Sequence, residues 1–256
     1  MAKTYRIGTR TSPLALRQVE EILQALRKFY PHTKDFGVGV YPDFNPVRNN
    51  IFPGSIVKIS NGVKAEIIGI DTYGDRDKTT PISQIEGTDF FTREIDEALL
   101  KGRVDFAVHS AKDLAGMPRE GLVVAAQTKP VDAYDALVSK NSLKLAELPR
   151  GARIGTSSFR RKAQLSRYRD DFDIADIRGN IQERLEKLDN GDLDGIIIAA
   201  CALVRLGLEH RITQRIPFEI LKPHPLQGAL AIVVRARDLE LHNLLSVIDS
   251  REAVIS

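Results

Sequence analysis

The sequence predicts an α/β fold in two similar domains with mixed, mainly parallel sheets, and three observations predict it. At 256 residues the chain exceeds one ordinary core and suits two domains of roughly 100–150 residues each. Strand-like and helix-like patterns alternate nearly throughout, which is the signature of βα units and largely parallel sheets. The two halves also echo each other. RIGTRTSPLALRQ (6–18) resembles RIGTSSFRRKAQ (153–164), and ALLKGRVDFAVHSAKDL (98–114) resembles EKLDNGDLDGIIIAACAL (186–203). Both matches come in the same order, as a duplicated framework would give them.

Each element has a local reason. YRIGT reads as a strand. SPLALRQVEEILQALRKFY reads as a helix with Ser12 as N-cap, Pro13 at the first helical position, and Leu16, Val19, Leu23 and Leu26 on one face. Residues 34–63 are rich in Gly, Pro and Asn, fit no βα period, and read as an inserted loop or small hairpin. AEIIGID is a second strand, FFTREIDEALLKG a helix closed by Gly102, and VDFAVHS a third strand. Past LPRGARIGT the pattern restarts. A helix follows TSS, RGNIQERLEKLDNG is a helix with an Asn180/Glu183 capping box and a terminal Gly191, and DGIIIAA is a buried strand.

Composition narrows the function classes. No apolar run approaches the roughly 20 residues a membrane span needs, and no signal-peptide core follows the first charges. The single cysteine, Cys201, excludes an internal disulfide framework and fits a reducing cytoplasm. Flanked by alanines where a strand passes into a helix, it reads as a packing residue. The five histidines are scattered singly, so no metal-ligand cluster is expected. Net charge is +3, yet Arg150, Arg153, Arg160, Arg161, Lys162, Arg167, Arg169, Arg178, Arg184 and Lys187 crowd one segment. Such crowding points to an anionic partner. Nucleic acid is one candidate, but Tyr168 and Phe172 are the segment's only aromatics and no nucleic-acid motif is present. A small polycarboxylate fits at least as well.

Candidate site residues gather at strand-to-helix junctions. Arg160 and Arg161 fall in the first turn of a helix opened by Thr156-Ser157-Ser158, where a cation opposes the helix dipole. An anion gripped by amide N–H groups, hydroxyls and guanidinium forks would resolve the conflict; a hydroxyl cap followed by two solvated arginines is the alternative. Arg10 stands in the same relation to the first helix, beside Thr11 and Ser12, with Ser12 reading first as a cap. Arg178, Arg184 and Arg205 occupy similar junctions, although Arg184 also fits a surface residue paired with a Glu. In DFAVHSAKDL (105–114) a buried strand ends in His109, Ser110, Lys112 and Asp113. A carboxylate there can stabilise a cation developing on a substrate, or simply cap the next element.

Taken together, IGTRTSPLALRQ, TREIDEALLKGRVDFAVHSAKDL, GTSSFRRKAQL, DIRGNIQERLEKLDNGDLDGIIIAACALVRLGL and LQGALAI resemble the porphobilinogen deaminase (hydroxymethylbilane synthase) family. They occur in the family's order and cover nearly the whole chain apart from 34–63. The resemblance implies two type II periplasmic-binding-protein-like domains facing a central cleft, 1–128 with 229–256 and 129–228, and a small third domain beyond them. It implies a cytoplasmic transferase that condenses four porphobilinogen units head to tail, each with loss of ammonia, into the linear tetrapyrrole hydroxymethylbilane. The family's chain grows on a dipyrromethane cofactor thioether-linked to a cysteine. Asp113 matches the catalytic aspartate. Arg10, Ser12, Lys112, Thr156, Ser158, Arg160, Arg161, Arg178, Arg184, Arg205 and Gln227 match positions lining the cleft, the basic ones holding acetate and propionate groups. Asp75 matches a further family acid and Phe91 the aromatic of a mobile loop. The implied partners are porphobilinogen or related pyrrole carboxylates, with no nucleic acid, membrane or metal. Each pyrrole brings two carboxylates, and guanidinium suits carboxylate better than ammonium does.

Three departures accompany the resemblance. The family's Gly-Gly-Cys segment is absent, SVIDSREAVIS stands about where the third domain would begin, and Cys201 is not placed to substitute, so covalent cofactor attachment has no visible anchor. The loop that reads like K-x-G-G-K-G-L-F in the family is QIEGTDFF here, with Gln84 and Thr88 replacing lysines and Asp89 adding negative charge. Segment 34–63 has no family counterpart. Two readings remain: an enzyme of this reaction type, which the retained Asp113 favours, or a non-polymerising pyrrole or linear-tetrapyrrole binder or diverged monopyrrole enzyme, which the absent cysteine favours.

Overall fold

The computed structural model describes residues 3–30, 51–60, 63–77, 89–114, 116 and 118–251. The chain divides into two compact units. Unit 1 is Met1–Tyr73, Phe91–Lys129 and Ala229–Ser256; unit 2 is Gly74–Phe90 and Pro130–Gly228. Expectations about 34–50, Gln84 and Thr88 lie outside the described residues.

Unit 1 begins with β1 (Lys3–Thr9) and α1 (Pro13–Phe29). The Ser12 hydroxyl accepts a bond from the Ala15 N–H at 3.3 Å, and Pro13 opens the helix, where its missing N–H costs nothing. β2 (Ile56–Ser60), β3 (Val63–Gly69), the short α2 (Tyr73–Arg76) at the unit boundary, α3 (Arg93–Leu100), β4 (Phe106–Ser110) and β5 (Leu122–Gln127) come next. Unit 2 contributes β6 (Asp135–Ser139), β7 (Arg153–Gly155), α4 (Phe159–Tyr168), β8 (Asp173–Ala175), α5 (Ile181–Asn190), β9 (Gly195–Ala199), α6 (Ala200–Arg205) and β10 (Gln214–Ile216). The chain then returns to unit 1 with β11 (Leu230–Arg235) and α7 (Leu239–Ser246). No helix among the described residues is long and apolar enough to cross a membrane.

The sheets are mixed, ordered β2-β3-β1-β4-β11-β5 in unit 1 and β10-β6-β9-β7-β8 in unit 2. Parallel pairings do not predominate. Among the described residues, four of the nine pairings are parallel and five antiparallel. The reason is topological: β11 enters antiparallel between β4 and β5, β6 lies antiparallel between β9 and β10, and βα periodicity records neither choice. Of segment 34–63, the described β2 pairs antiparallel with β3 at the sheet edge.

Strand alternation sorts unit 1's core. Ile7, Phe106, Val108 and Ile232 pack with Val19, Leu23 and Leu26 of α1, and with Leu241 and Leu245 of α7. Ala107 and Val233 pack instead with Ile95 and Leu99 of α3. Each such side chain removed from water contributes about 1.5–3 kcal/mol. In unit 2, Leu137, Ile154, Leu165 and Ile197 form the corresponding core.

The sequence echo has a shared physical cause. In unit 1 the Arg6 amide donates to Asp105 Oδ2 at 2.8 Å, and the Asp105 amide donates to the Arg6 carbonyl at 2.8 Å. In unit 2 the Arg153 amide donates to Asp194 Oδ2 at 2.7 Å, and the Asp194 amide to the Arg153 carbonyl at 2.8 Å. Each Asp thus fixes the register of the strand it opens against the parallel neighbour, β1 for Asp105 and β7 for Asp194. The following glycines, Gly8 and Gly155, leave room for a neighbour; a Cβ would come within 3.0 Å of Val104 in the first case and of Leu193 and Ile196 in the second.

His109, on β4, is buried and its Nε2 has no hydrogen-bond partner among the described residues. Burial first, then the nearby Arg10 charge, push its pKa down from 6.5 to about 4. The folded chain therefore refuses a proton that the unfolded chain accepts. Stability is expected to fall by about 3 kcal/mol as pH drops from 6.5 towards 4. Urea titrations of wild type and His109→Phe across that window check it, the variant giving the flatter profile.

Candidate functional site

Unit 2 builds a cation cluster from two strand-end loops. After β7, the Thr156 N–H donates to the Ala175 carbonyl at 2.9 Å. The Ser157 hydroxyl donates to the Ile177 carbonyl at 2.7 Å and accepts from the Ile177 N–H at 2.9 Å. These bonds tie the loop before α4 to the loop before α5. Ser158 is the α4 N-cap residue, so Arg160 and Arg161 lie in the first turn as predicted from the sequence.

The anion that this first turn calls for is supplied by the chain itself. Asp135, at the start of β6, is fully buried. Its Oδ1 accepts from Arg161 Nε at 3.0 Å and Nη2 at 2.6 Å, and from Gln227 Nε2 at 3.0 Å. Its Oδ2 accepts from Arg160 Nη2 at 2.7 Å. Arg161 Nη1 goes on to the Ile197 carbonyl at 3.2 Å, Arg160 Nη1 to the Lys222 carbonyl, and Gln227 Nε2 also to the Ala133 carbonyl at 2.8 Å. Burial works to raise the Asp135 pKa, but the Arg161 and Arg160 charges and bonds outweigh it and hold the carboxyl down at about 2. Sequence reading passed over Asp135. Its one visible signal is a charge opening an otherwise apolar strand, DALVS.

The remaining cations are less compensated. Arg178 Nη2 donates to the Asp77 carbonyl at 2.6 Å, while its Nη1 is buried without a hydrogen-bond partner among the described residues. Arg184 is not a surface residue paired with a Glu. Its Nε donates to the Gly179 carbonyl at 2.8 Å, and burial, then the Arg161 and Arg178 charges, pull its pKa down to about 10. Thr156 Oγ1 is likewise buried without a hydrogen-bond partner among the described residues. Arg205, the last residue of α6, is buried and donates to the Gly228 carbonyl at 2.8 Å. Elsewhere in the basic segment, charges pair locally: Arg153 with Asp173 and Asp192, Lys162 with Asp176, and Arg169 with Asp171.

Unit 1 holds the acid. Lys112 and Asp113 lie on a single 3-10 turn, Ala111–Asp113, directly after β4. Both are partly buried, and no hydrogen bond or ion pair engages the Asp113 carboxylate among the described residues. At the neighbouring strand end, the Arg10 guanidinium sits 4.5 Å from the centroid of the Phe91 ring, a cation–π distance. Thr11 beside it donates to Asp71 at 2.6 Å, and Ser12 is occupied as the α1 cap. Asp75 is partly buried on α2.

A polycarboxylate such as dipyrromethane fits the unit 2 donors, because Arg178 Nη1 and Thr156 Oγ1 lack acceptors among the described residues and a carboxylate would relieve Arg184. Thioether attachment does not fit Cys201, which is buried near the start of α6.

The chain matches the family model described as porphobilinogen deaminase, dipyromethane cofactor binding domain, over residues 5–243. It is 39% identical over 247 residues to porphobilinogen deaminase of Xanthomonas axonopodis pv. citri, covering 96% of this chain and 71% of that protein. It is 39% identical over 249 residues to the Natranaerobius thermophilus enzyme of the same name, covering 97% and 70%. Among solved structures it resembles a periplasmic substrate-binding protein of an ABC transporter from Coxiella burnetii, with TM-score 0.51 and 18% identity over 95% of this chain and 91% of that one. Lipoprotein Tp32 from Treponema pallidum gives TM-score 0.51 and 14% identity over 96% and 90%; at such identities the two share a fold with this chain and nothing more is read from them. The matched model and the relatives' identity place this chain in the porphobilinogen deaminase family.

Proposed function

We propose that the chain condenses porphobilinogen units, with loss of ammonia, towards hydroxymethylbilane. The observation that carries this reading is the set of buried donors in unit 2 that lack acceptors among the described residues, Arg178 Nη1 and Thr156 Oγ1, beside an Arg184 whose charge is disfavoured. Such a set is costly by itself and is offset by carboxylates.

In each cycle the C–N bond of the substrate's aminomethyl group breaks and ammonia departs with the bonding pair, leaving an electron-poor methylene carbon on the pyrrole. Asp113 is the group assigned to stabilise that cation; with no partner among the described residues to satisfy, its charge is available to the substrate. The α-carbon of the neighbouring pyrrole attacks, a C–C bond forms, and that carbon loses its proton. Arg178, Arg184, Thr156 and Ser158 hold acetate and propionate groups from unit 2. Within unit 1, Arg10 against Phe91 and Lys112 beside Asp113 are further cations suited to carboxylates. The dipyrromethane group, when bound, supplies the pyrrole at which the chain starts. The partners proposed are porphobilinogen and pyrrole carboxylates, and a reducing cytoplasm suits the lone Cys201 thiol.

Arg184→Met is expected to lower porphobilinogen affinity about 10-fold or more, since a charge-assisted bond is lost. Stability is expected to hold or rise by about 1 kcal/mol, because a poorly compensated charge leaves a low-dielectric site. Isothermal titration and thermal melts of the same preparation check the opposed signs.

Incubating the purified protein with porphobilinogen, then chromatographing the products and recording intact mass, tests the function. Linear tetrapyrrole supports the synthase reading. Saturable binding with no new product would replace it by the binder.

A further inference from the structure

We propose that Asp135 is a positioning residue for ligand binding, a single buried carboxylate that locks Arg160 to Arg161 and fixes how much cationic charge the unit 2 cluster presents. The inference rests on the function proposed above and adds to it a residue that touches no ligand.

Both oxygens of Asp135 are spent on the arginine pair. Oδ1 receives Arg161 through Nε and Nη2, and Oδ2 receives Arg160 through Nη2. The far side of each guanidinium is tied to a main-chain carbonyl, at Ile197 for Arg161 and at Lys222 for Arg160. Gln227 closes the arrangement by donating to Oδ1 and to the Ala133 carbonyl while its own Oε1 lies 3.5 Å from Arg161 Nη2. Two planar forks bound to one carboxylate have little rotational freedom left.

The charge consequence is specific. Arg160 and Arg161 with Asp135 carry one net positive charge rather than two. Arg161 is the largest charge acting against Arg184, ahead of Arg178, and it is the arginine that Asp135 grips through two nitrogens. Asp135 therefore divides the cluster. Arg161 serves mainly as framework, while Arg178 and Arg184 face an unmet demand for negative charge that a pyrrole carboxylate satisfies.

Asp135→Asn preserves shape and one acceptor but turns an amide N–H₂ towards one guanidinium, and Arg160, which makes a single bond to the carboxylate through Oδ2, is the partner released. Two readouts on the full chain decide the matter. Peptide-resolved labelling with phenylglyoxal is expected to rise several-fold at Arg160 in the variant. The KM for porphobilinogen is expected to rise about 10-fold or more, because lost orientation of the arginine pair outweighs the added positive charge, with kcat within a few-fold of wild type, a split that a purely structural role would not give in folded protein. Should Asp135→Asn not fold, Gln227→Met removes the lateral bond without changing charge and is expected to move both readouts the same way by a smaller factor. Unchanged Arg160 labelling, or an unchanged KM in folded variant, overturns the proposal. If wild type itself neither binds nor turns over porphobilinogen, the function has failed, and the labelling comparison alone then decides the lock: increased labelling supports it and equal labelling overturns it.

Discussion

Asp113→Ala is expected to lower porphobilinogen turnover by about 10²–10³-fold, the scale for removing one preorganised group that stabilises transition-state charge. Ligand affinity stays within a few-fold of wild type, because carboxylate-to-guanidinium contacts supply the binding and Asp113 supplies none of them. Stability is barely altered. Asp113 lies on a 3-10 turn just past β4, partly buried, with no hydrogen bond or ion pair from the described residues to lose. A residue whose truncation harms kcat while leaving folding and KM nearly untouched is acting on the reacting atoms. Steady-state kinetics with a thermal melt on the same preparation checks all three parts, and full activity in the variant removes Asp113 from the mechanism.

Asp135→Ala has the largest expected effect on stability. It leaves two guanidinium groups, one of them buried, without their shared carboxylate. Breaking a buried pair by deleting one partner costs about 3–5 kcal/mol. The same carboxylate has a pH signature. Its pKa is about 2 in the folded chain against 3.8 ordinarily, so its contribution is complete above pH 3.8 and disappears as pH falls through about 2. The amount at stake is about 2 kcal/mol. This window lies below that of His109, whose penalty accumulates between pH 6.5 and 4. Denaturant titration of wild type and both single variants separates the two: the His109 variant flattens the upper window and the Asp135 variant the lower one.

Legibility in the sequence tracks how local the physics is. The Ser12–Pro13 start of α1 and the Asn180/Glu183 capping box of α5 were legible because their bonds span three residues, and both caps are present. The repeat was legible because Asp105 and Asp194 do the same work at matching positions, each fixing a strand register. The antiparallel entry of β11 was not, because it depends on a chain return from residue 230 to a sheet laid down before residue 128. The site divides in the same way. Arg160 and Arg161 were conspicuous as cations in a first helical turn, an arrangement that asks for an anion. That the anion is Asp135 was hidden, since it stands 25 residues from Arg160, on β6 rather than on the helix. The uneven compensation of Arg178 and Arg184 is equally tertiary, arising from burial and from neighbours rather than from spacing.

Ammonia released per porphobilinogen consumed is the most direct measurement of whether this chain joins pyrroles at the expense of their aminomethyl C–N bonds. The expected result is one ammonia for each porphobilinogen lost, rising in step with bilane. Saturable uptake of porphobilinogen with no ammonia would contradict the account and leave a protein that holds pyrroles without linking them.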